Sequence, residues 1–424
     1  MTPAARLQAA MDILQGLEGS NEAADRFVRH WFSGRRYAGA KDRASVADRV
    51  HDVLRHRASY AWRMQSHTPR ALVIASLASE GVPMEEAAAL FGSSAYAPPE
   101  LSVAERAQYV APPREPMPAW VEGDYPEWLE PELARRFGDA LGDEMKAMLA
   151  RAAVDLRTNT LRANRDDMVT GLGGLGLAAV PTPFSPHGIR IPAGPGLGAL
   201  QNSPFFQAGA VEIQDEASQI AALLCAARSD MRVLDLAAGA GGKSLALAAE
   251  MKNAGQIVAA DRDEKRLAEI LPRARRAGAT NITSFISTEG RQPEGAFDVV
   301  LVDAPCSGSG TWRRNPGLKW QLKPDRLDVL TALQDELLET GAARVREGGR
   351  LIYATCSLLP RENEDRVEAF LMRHAEFSAV PACDVWRETM GENPVPPGMD
   401  NLFRASPLTT GTDGFFAAIF TRSG

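Results

Sequence analysis

No apolar run in the 424-residue chain approaches the ~20 residues of a membrane span. Its start, Met1-Thr-Pro-Ala-Ala-Arg, leads into an amphipathic pattern and lacks the apolar core of a signal peptide. Cysteine is scarce: four residues, Cys225, Cys306, Cys356 and Cys383, show no metal-ligand spacing and fall far short of a disulfide framework. These shortages point away from membrane, metal and secreted classes, toward a cytoplasmic protein with free thiols. Positive charge is also in deficit. A formal net charge of −7 argues against general affinity for nucleic acid. What is present is ordinary for a globular chain, with 45% hydrophobic and 24% charged residues. The length exceeds a single core, so two or three domains are expected.

The charge is unevenly spread. Residues 26–70 hold eleven lysines and arginines against Asp42, Asp48 and Asp52, a surplus of +8 that leaves −15 for the rest. Trp31, Tyr37 and Trp62 are interleaved with the basic side chains. The segment is either a nucleic-acid-facing module or a set of solvated helix faces.

In chain order, residues 1–95 read as all-helical. Leu7, Met11 and Leu14 recur at helical spacing, as do Val46, Val50 and Val53. Seven prolines between Pro98 and Pro126 mark residues 96–125 as a linker. Residues 126–210 form a small α+β segment, with alternation over 155–162 and short strands near Ala179 and Ile189. From 211 to 424 strands and helices alternate regularly. Strands are expected at 232–236, 256–260, 282–286, 298–302 and 350–354, helices at 263–277 and 326–346, and a last β run at 414–421. The fold class is α/β, a doubly wound, Rossmann-like sheet with a final hairpin.

Residues 299–302 form a β-branched apolar run stopped at Asp303, after which Pro305, Gly308 and Gly310 forbid regular structure. Ligands of open α/β sheets bind beyond the strands' carboxyl ends, which places Asp303, Cys306 and Ser307 at a site. A second strand, 351–355, ends at Cys356, fifty residues on, the length of one crossover. A lone cysteine is most often a small buried hydrophobe, which suffices for Cys225 and Cys383. The pair at two strand ends favours a catalytic reading. Ala237-Ala-Gly-Ala-Gly-Gly-Lys-Ser244 is a strand-to-helix turn whose glycines admit close approach of a ligand. Asp261 lies 22 residues past Gly239, where an acidic residue bonds a ribose hydroxyl in dinucleotide folds. The Walker spacing is absent, so a ribose-bearing cofactor without a phosphate requirement, such as S-adenosylmethionine, fits better.

The glycine loop, Asp303-Ala-Pro-Cys-Ser-Gly-Ser-Gly310, Ala354-Thr-Cys-Ser357, Gln214-Asp-Glu-Ala-Ser218 and Gly411-Thr-Asp-Gly-Phe-Phe416 together resemble the Sun/Fmu-type RNA cytosine-5 methyltransferases. The resemblance runs from about Pro126 to the carboxyl end. More loosely, the helical amino terminus is similar to the NusB-like RNA-binding domain of bacterial members. The resemblance implies a class I methyltransferase sheet and S-adenosylmethionine bound by Ala237, Ala238, Gly239, Ala240, Gly241, Gly242, Lys243 and Asp303, with Asp261 on the ribose. It implies Cys356 as the nucleophile that adds to cytosine C6. Asp303 would stabilise the attacked base, and Cys306 would assist loss of the C5 proton and release of the enzyme thiol. Arg157, Asn159 and Lys319 would lie near RNA, and Trp320 would either cover the flipped base or serve as core. Ribosomal RNA of the small subunit is the expected partner, tRNA the second, and a monomer the expected state.

Two departures from the family pattern stand out. The family loop carries a proline where Ala240 stands, so this loop is less pre-organised and cofactor binding is expected to be modestly weaker. An acidic residue after the third strand is replaced by Ser287-Thr288-Glu289, leaving the adenine contact open. Two competing readings are a DNA-type cytosine-5 methyltransferase, with Cys306 as nucleophile, and a non-catalytic RNA-binding assembly factor.

Overall fold

The structure, a computed structural model, describes residues 1–20, 22–193, 200–288 and 290–424. Two compact units emerge: residues 1–150 with 312–323, and residues 151–311 with 324–424.

The first unit is helical. Helices Pro3–Leu17 and Pro69–Ser79 each open with proline in the first turn, where its missing N–H is no loss. Thr2 and Thr68 cap them by accepting the Ala5 and Ala71 amides. Helices Ala24–Ser33, Ala40–Arg55 and Arg57–Met64 complete the main bundle. Ile13, Val46, Val50, Val53, Val73 and Ile74 are wholly excluded from water, as the helical spacing predicts. The expected linker at 96–125 is different. Helix Val103–Val110 begins there with a capping box between Ser102 and Glu105, and Leu101 and Tyr109 sink into the bundle core. Its prolines bound short elements rather than free a tether.

The basic surplus also shrinks. Arg49, Arg57 and Arg70 pair with Glu80, Glu18 and Glu105, all outside the counted segment. Arg55 is buried and donates to the Arg313 carbonyl at 3.0 Å. Arg26, Arg29, Arg36 and Lys41 stay exposed, alongside Tyr37.

Residues 312–323 were expected within the carboxyl-terminal sheet domain but belong to this unit. Trp320 Nε1 donates to the Leu54 carbonyl at 2.6 Å and Lys319 Nζ to the Arg55 carbonyl at 2.8 Å. Both acceptors lie in the last turn of helix Ala40–Arg55, whose carbonyls lack intrahelical partners.

The second unit starts with a four-stranded antiparallel sheet of order β2-β3-β1-β4: β1 (Val154–Thr158), β2 (Val180–Pro181), β3 (Gly188–Ile191) and β4 (Val211–Ile213). Leu156, Ile189 and Val211 pack with Leu172 of helix Arg165–Gly174. The main sheet holds β5 (Arg232–Asp235), β6 (Gln256–Asp261), β7 (Ile282–Ile286), β8 (Phe297–Asp303), β9 (Val345–Thr355), β10 (Phe377–Val380), β11 (Phe403–Ala405) and β12 (Phe415–Arg422). Its order is β10-β12-β9-β8-β5-β6-β7, with β11 against β12. Strands β5 to β9 pair in parallel, and β12 runs antiparallel to β9, β10 and β11. Alternation along β8 sends Val299 and Leu301 to one core and Val300 and Val302 to the other. The chain runs outward from β5 to β7, then returns to place β8 beside β5. That reversal is where a doubly wound sheet opens a ligand crevice.

Two helices differ from expectation. Residues 263–277 split into Glu264–Leu267 and Ile270–Ala277, the second with Pro272 in its first turn. Helix Pro324–Ala342 ends before Gly348-Gly349, which lie within β9, Gly348 at φ +68°.

Candidate active site

Parallel pairing of β8 and β9 sets Asp303 opposite Ala354, so the residues just past both strands share one mouth. The Ala304 amide donates to the Ala354 carbonyl at 2.8 Å and the Gly310 amide to the Cys356 carbonyl at 3.0 Å. Between these ties Cys306 Sγ and Cys356 Sγ stand 3.3 Å apart, within hydrogen-bonding range for sulfur. Contact with Cys356, then burial, then the Glu362 charge push the Cys306 thiol up. Cys306 therefore holds its proton and can donate it to Cys356 Sγ. Gly310 is obligatory, since a Cβ there would lie 2.0 Å from the Gly414 carbonyl oxygen.

Behind the thiols lies an arrangement the sequence did not reveal. The buried Glu362 carboxylate accepts Ser307 N–H at 2.8 Å, Gln334 Nε2 at 3.0 Å, and the hydroxyls of Ser307 and Ser357. Asn363 Nδ2 donates to the Ser357 carbonyl at 2.9 Å, and Thr355 Oγ1 to Asn363 Oδ1 at 2.6 Å. Local pattern offered no signal for this role beyond a charged Pro-Arg-Glu-Asn-Glu run next to an apolar strand.

The glycine loop joins β5 to helix Gly242–Glu250. Gly239 and Gly241 adopt φ +54° and +80°, the left-handed region that favours glycine. A Cβ on Gly239 would meet the Arg266 guanidinium at 2.4 Å. The Gly239 amide donates to Asp261 Oδ2 at 2.7 Å, and the Asp263 amide to Oδ1 at 2.8 Å. The Ala240 carbonyl accepts from Arg273 at 2.6 Å. Lys243, in the first turn, sets Nζ 2.6 Å from Asp303 Oδ2 and 5.0 Å from the Phe415 ring centroid. Asp235 is buried and takes the Ser244 hydroxyl at 2.6 Å. Burial outweighs that bond, and Asp303 adds repulsion, so its carboxyl is pushed up to about 7.

One cavity of about 800 Å³ joins these parts, lined among others by Ala237, Ala238, Asp261, Ser287, Asp303, Cys306 and Cys356. The volume suits a cofactor-sized ligand. Among the described residues the buried Ser287 Oγ has no partner, an orphan polar group on the wall. Positive-φ glycines, a carboxylate at a strand end and this orphan hydroxyl fit an adenosyl cofactor. Thr288 also lines the cavity, whereas Glu289 lies outside the described residues.

Other expected residues are not gathered here. Arg157 is buried on β1, donates Nε to Gln214 Oε1 at 2.7 Å, and is pushed down to about 10 by burial. Asn159 Nδ2 is shared between the Gly209 carbonyl at 2.8 Å and the Ala277 carbonyl at 2.7 Å. Lys319 is buried in the first unit and pushed down to about 7, again by burial. Trp320, half-buried, packs against the first unit's core. All four side chains serve internal contacts. Cys225 is fully buried, and Cys383 sits away from the cavity lining. Among the described residues, no cluster of histidine, cysteine and carboxylate ligands could hold a metal, and no helix is long and apolar enough to cross a membrane.

Residues 222–421 match the family model for the 16S rRNA methyltransferase RsmB/F, and residues 125–195 match the ferredoxin-like domain of the RsmF/B methyltransferases. Probable ribosomal RNA small subunit methyltransferase B of Synechocystis is 33% identical over 300 residues, 69% of this chain and 66% of that protein. Its Bacillus subtilis counterpart is 32% identical over 308 residues, 72% of this chain and 67% of that protein. The match thus spans about two thirds of each relative's length. The solved structure of PH0851 shares the fold across 100% of this chain and 99% of its own, with a TM-score of 0.76 at 24% identity. The chain belongs to the RsmB/F family of S-adenosylmethionine-dependent methyltransferases.

Proposed function

We propose that the chain methylates C5 of a cytosine in small-subunit ribosomal RNA through a covalent adduct between Cys356 Sγ and C6, acting in the cytoplasm as a monomer. The observation that carries this reading is the 3.3 Å thiol pair beside Asp303 at the mouth of the cavity. S-adenosylmethionine supplies an electrophilic methyl group. Carbon C5 is a weak nucleophile until a thiolate adds at C6 and turns the ring into an enamine. Asp303, with Oδ2 held by Lys243, presents Oδ1 to the base edge and stabilises it during attack. A proton kept on Cys306 stabilises the attacking Cys356 sulfur. Once that sulfur is bonded to C6, the largest cause of the raised Cys306 pKa is gone. Cys306 then gives its proton to solvent and takes the C5 proton, and the C6–S bond breaks with its electron pair returning to Cys356 Sγ. The exposed Arg26, Arg29, Arg36 and Lys41 supply contacts to RNA phosphates.

The test is a denaturing gel of variants incubated with RNA and S-adenosylmethionine. Cys356→Ala should lose methyl transfer and adduct, whereas Cys306→Ala should methylate and then stall with RNA attached. An RNA-shifted band from Cys356→Ala instead would transfer the nucleophile's role to Cys306. Transfer assays with small-subunit rRNA and tRNA separate the two substrates.

A further inference from the structure

Glu362 lies outside the cavity lining, is wholly buried, and joins three elements. Oε1 receives Ser307 N–H at 2.8 Å and Gln334 Nε2 at 3.0 Å, while Oε2 receives both serine hydroxyls. Ser307 follows Cys306, Ser357 follows Cys356, and Gln334 also donates to the Pro305 carbonyl at 3.0 Å. Four donors on two oxygens use the acceptor capacity of an ionised carboxylate. Among the described residues, no lysine or arginine pairs with it.

We propose that Glu362 is a positioning residue that ties the Cys306 loop to the Cys356 loop and so sets the approach of their thiols. The proposal rests on the covalent-adduct reading for its effect on turnover, but the thiol geometry it controls does not. The Glu362 charge also helps to keep the proton on Cys306, after the Cys356 contact and burial. Glutamine at this position would turn an amide donor toward other donors and remove that charge.

The experiment compares the full-length wild-type chain with Glu362→Gln in two assays. Phenylarsine oxide condenses with two adjacent thiols, forming two As–S bonds and releasing one water. The wild type should bind one phenylarsenic across Cys306 and Cys356, and Glu362→Gln should bind it at least about tenfold more weakly. In methyl transfer to RNA, kcat should fall roughly 10- to 100-fold while KM for RNA and affinity for S-adenosylmethionine hold, as for lost supporting contacts elsewhere. Glu362→Asp should recover part of the loss. A folded Glu362→Gln chain with wild-type arsenical affinity and wild-type kcat overturns the proposal. If that variant does not fold, Ser307→Ala with Ser357→Ala cuts two ties and leaves the charge. Weakened arsenical binding there supports the proposal and unchanged binding overturns it. A wild-type chain that methylates no RNA refutes the adduct reading, while weaker arsenical binding by Glu362→Gln than by wild type still supports the positioning role.

Discussion

Asp261 offers a quantitative test of the cofactor site. Its Oδ2 accepts the Gly239 amide at 2.7 Å and its Oδ1 the Asp263 amide at 2.8 Å. A carboxylate has about four acceptor positions, so two remain for ribose hydroxyls. Asp261→Ala therefore removes two different things. Left without an acceptor, the amide of Asp263, an exposed residue that water can reach, costs little, and the buried Gly239 amide costs ~1–3 kcal/mol of folding stability. That is a large share of the roughly 5–15 kcal/mol typical of a domain. If Asp261 also holds the ribose, its replacement takes a further ~1–3 kcal/mol from binding, about a 5- to 150-fold rise in Kd. Asp261→Asn separates the effects, because its one acceptor oxygen can keep Gly239 while its NH2 opposes the second amide. Urea unfolding without cofactor should show Asp261→Ala weakened by ~1–3 kcal/mol and Asp261→Asn by less. Calorimetric titration should show S-adenosylmethionine binding reduced by the stated factor. A folded Asp261→Asn chain that binds S-adenosylmethionine with wild-type Kd would refute the ribose assignment, and wild-type unfolding of Asp261→Ala would refute the loop-clamping role.

Three further outcomes follow from specific contacts. If Arg26, Arg29, Arg36 and Lys41 contact phosphates, replacing all four with alanine should flatten the dependence of log K on log salt by about 0.7–0.9 per contact; an unchanged slope in RNA-binding titrations would return them to plain surface. Asp235 titrates at about 7 in the folded chain against ~3.9 unfolded, so the folded state holds the extra proton and stability falls as pH rises from about 4 to 7. Asp235→Asn should remove that slope in denaturation curves at pH 5 and 7.5, a difference of about 2.5 kcal/mol between the two, and an unaltered slope counts against a buried neutral Asp235. Gly310→Ala drives a methyl into the Gly414 backbone and strains the amide bond to the Cys356 carbonyl, so a loss of about 2–4 kcal/mol is expected; a melting temperature within a degree of wild type would show the loop can move aside.

Much of the sheet was legible in order. Strands β5 to β9 were placed within a few residues, because β-branched runs ended by proline, glycine or a lone acid act over a handful of positions. The glycine loop, Asp303, Cys306 and Cys356 were legible for the same reason: each sits at a strand end whose location is a local property. The prolines of 96–125 suggest a linker, yet Leu101 and Tyr109 pack in the helical core, since proline content reports where helices must stop and not whether the pieces pack.

Partners of buried polar groups were not legible, since nothing local encodes them. Ser307 is 55 residues from Glu362, and Lys319 is 264 from the carbonyl that takes its amine. Charge counting treated the 26–70 segment as strongly basic, yet glutamates at 18, 80 and 105 pair with three of its arginines. Arg157, Asn159 and Lys319 look from sequence like available polar side chains; only burial shows that their hydrogen bonds are spent inside. The sequence by itself determined which chemical groups stand at the strand ends, through steric and hydrophobic rules of short range. The tertiary structure alone decided which distant donors and acceptors meet, because desolvation penalises a buried polar atom that finds no partner, so most are paired wherever the fold brings one.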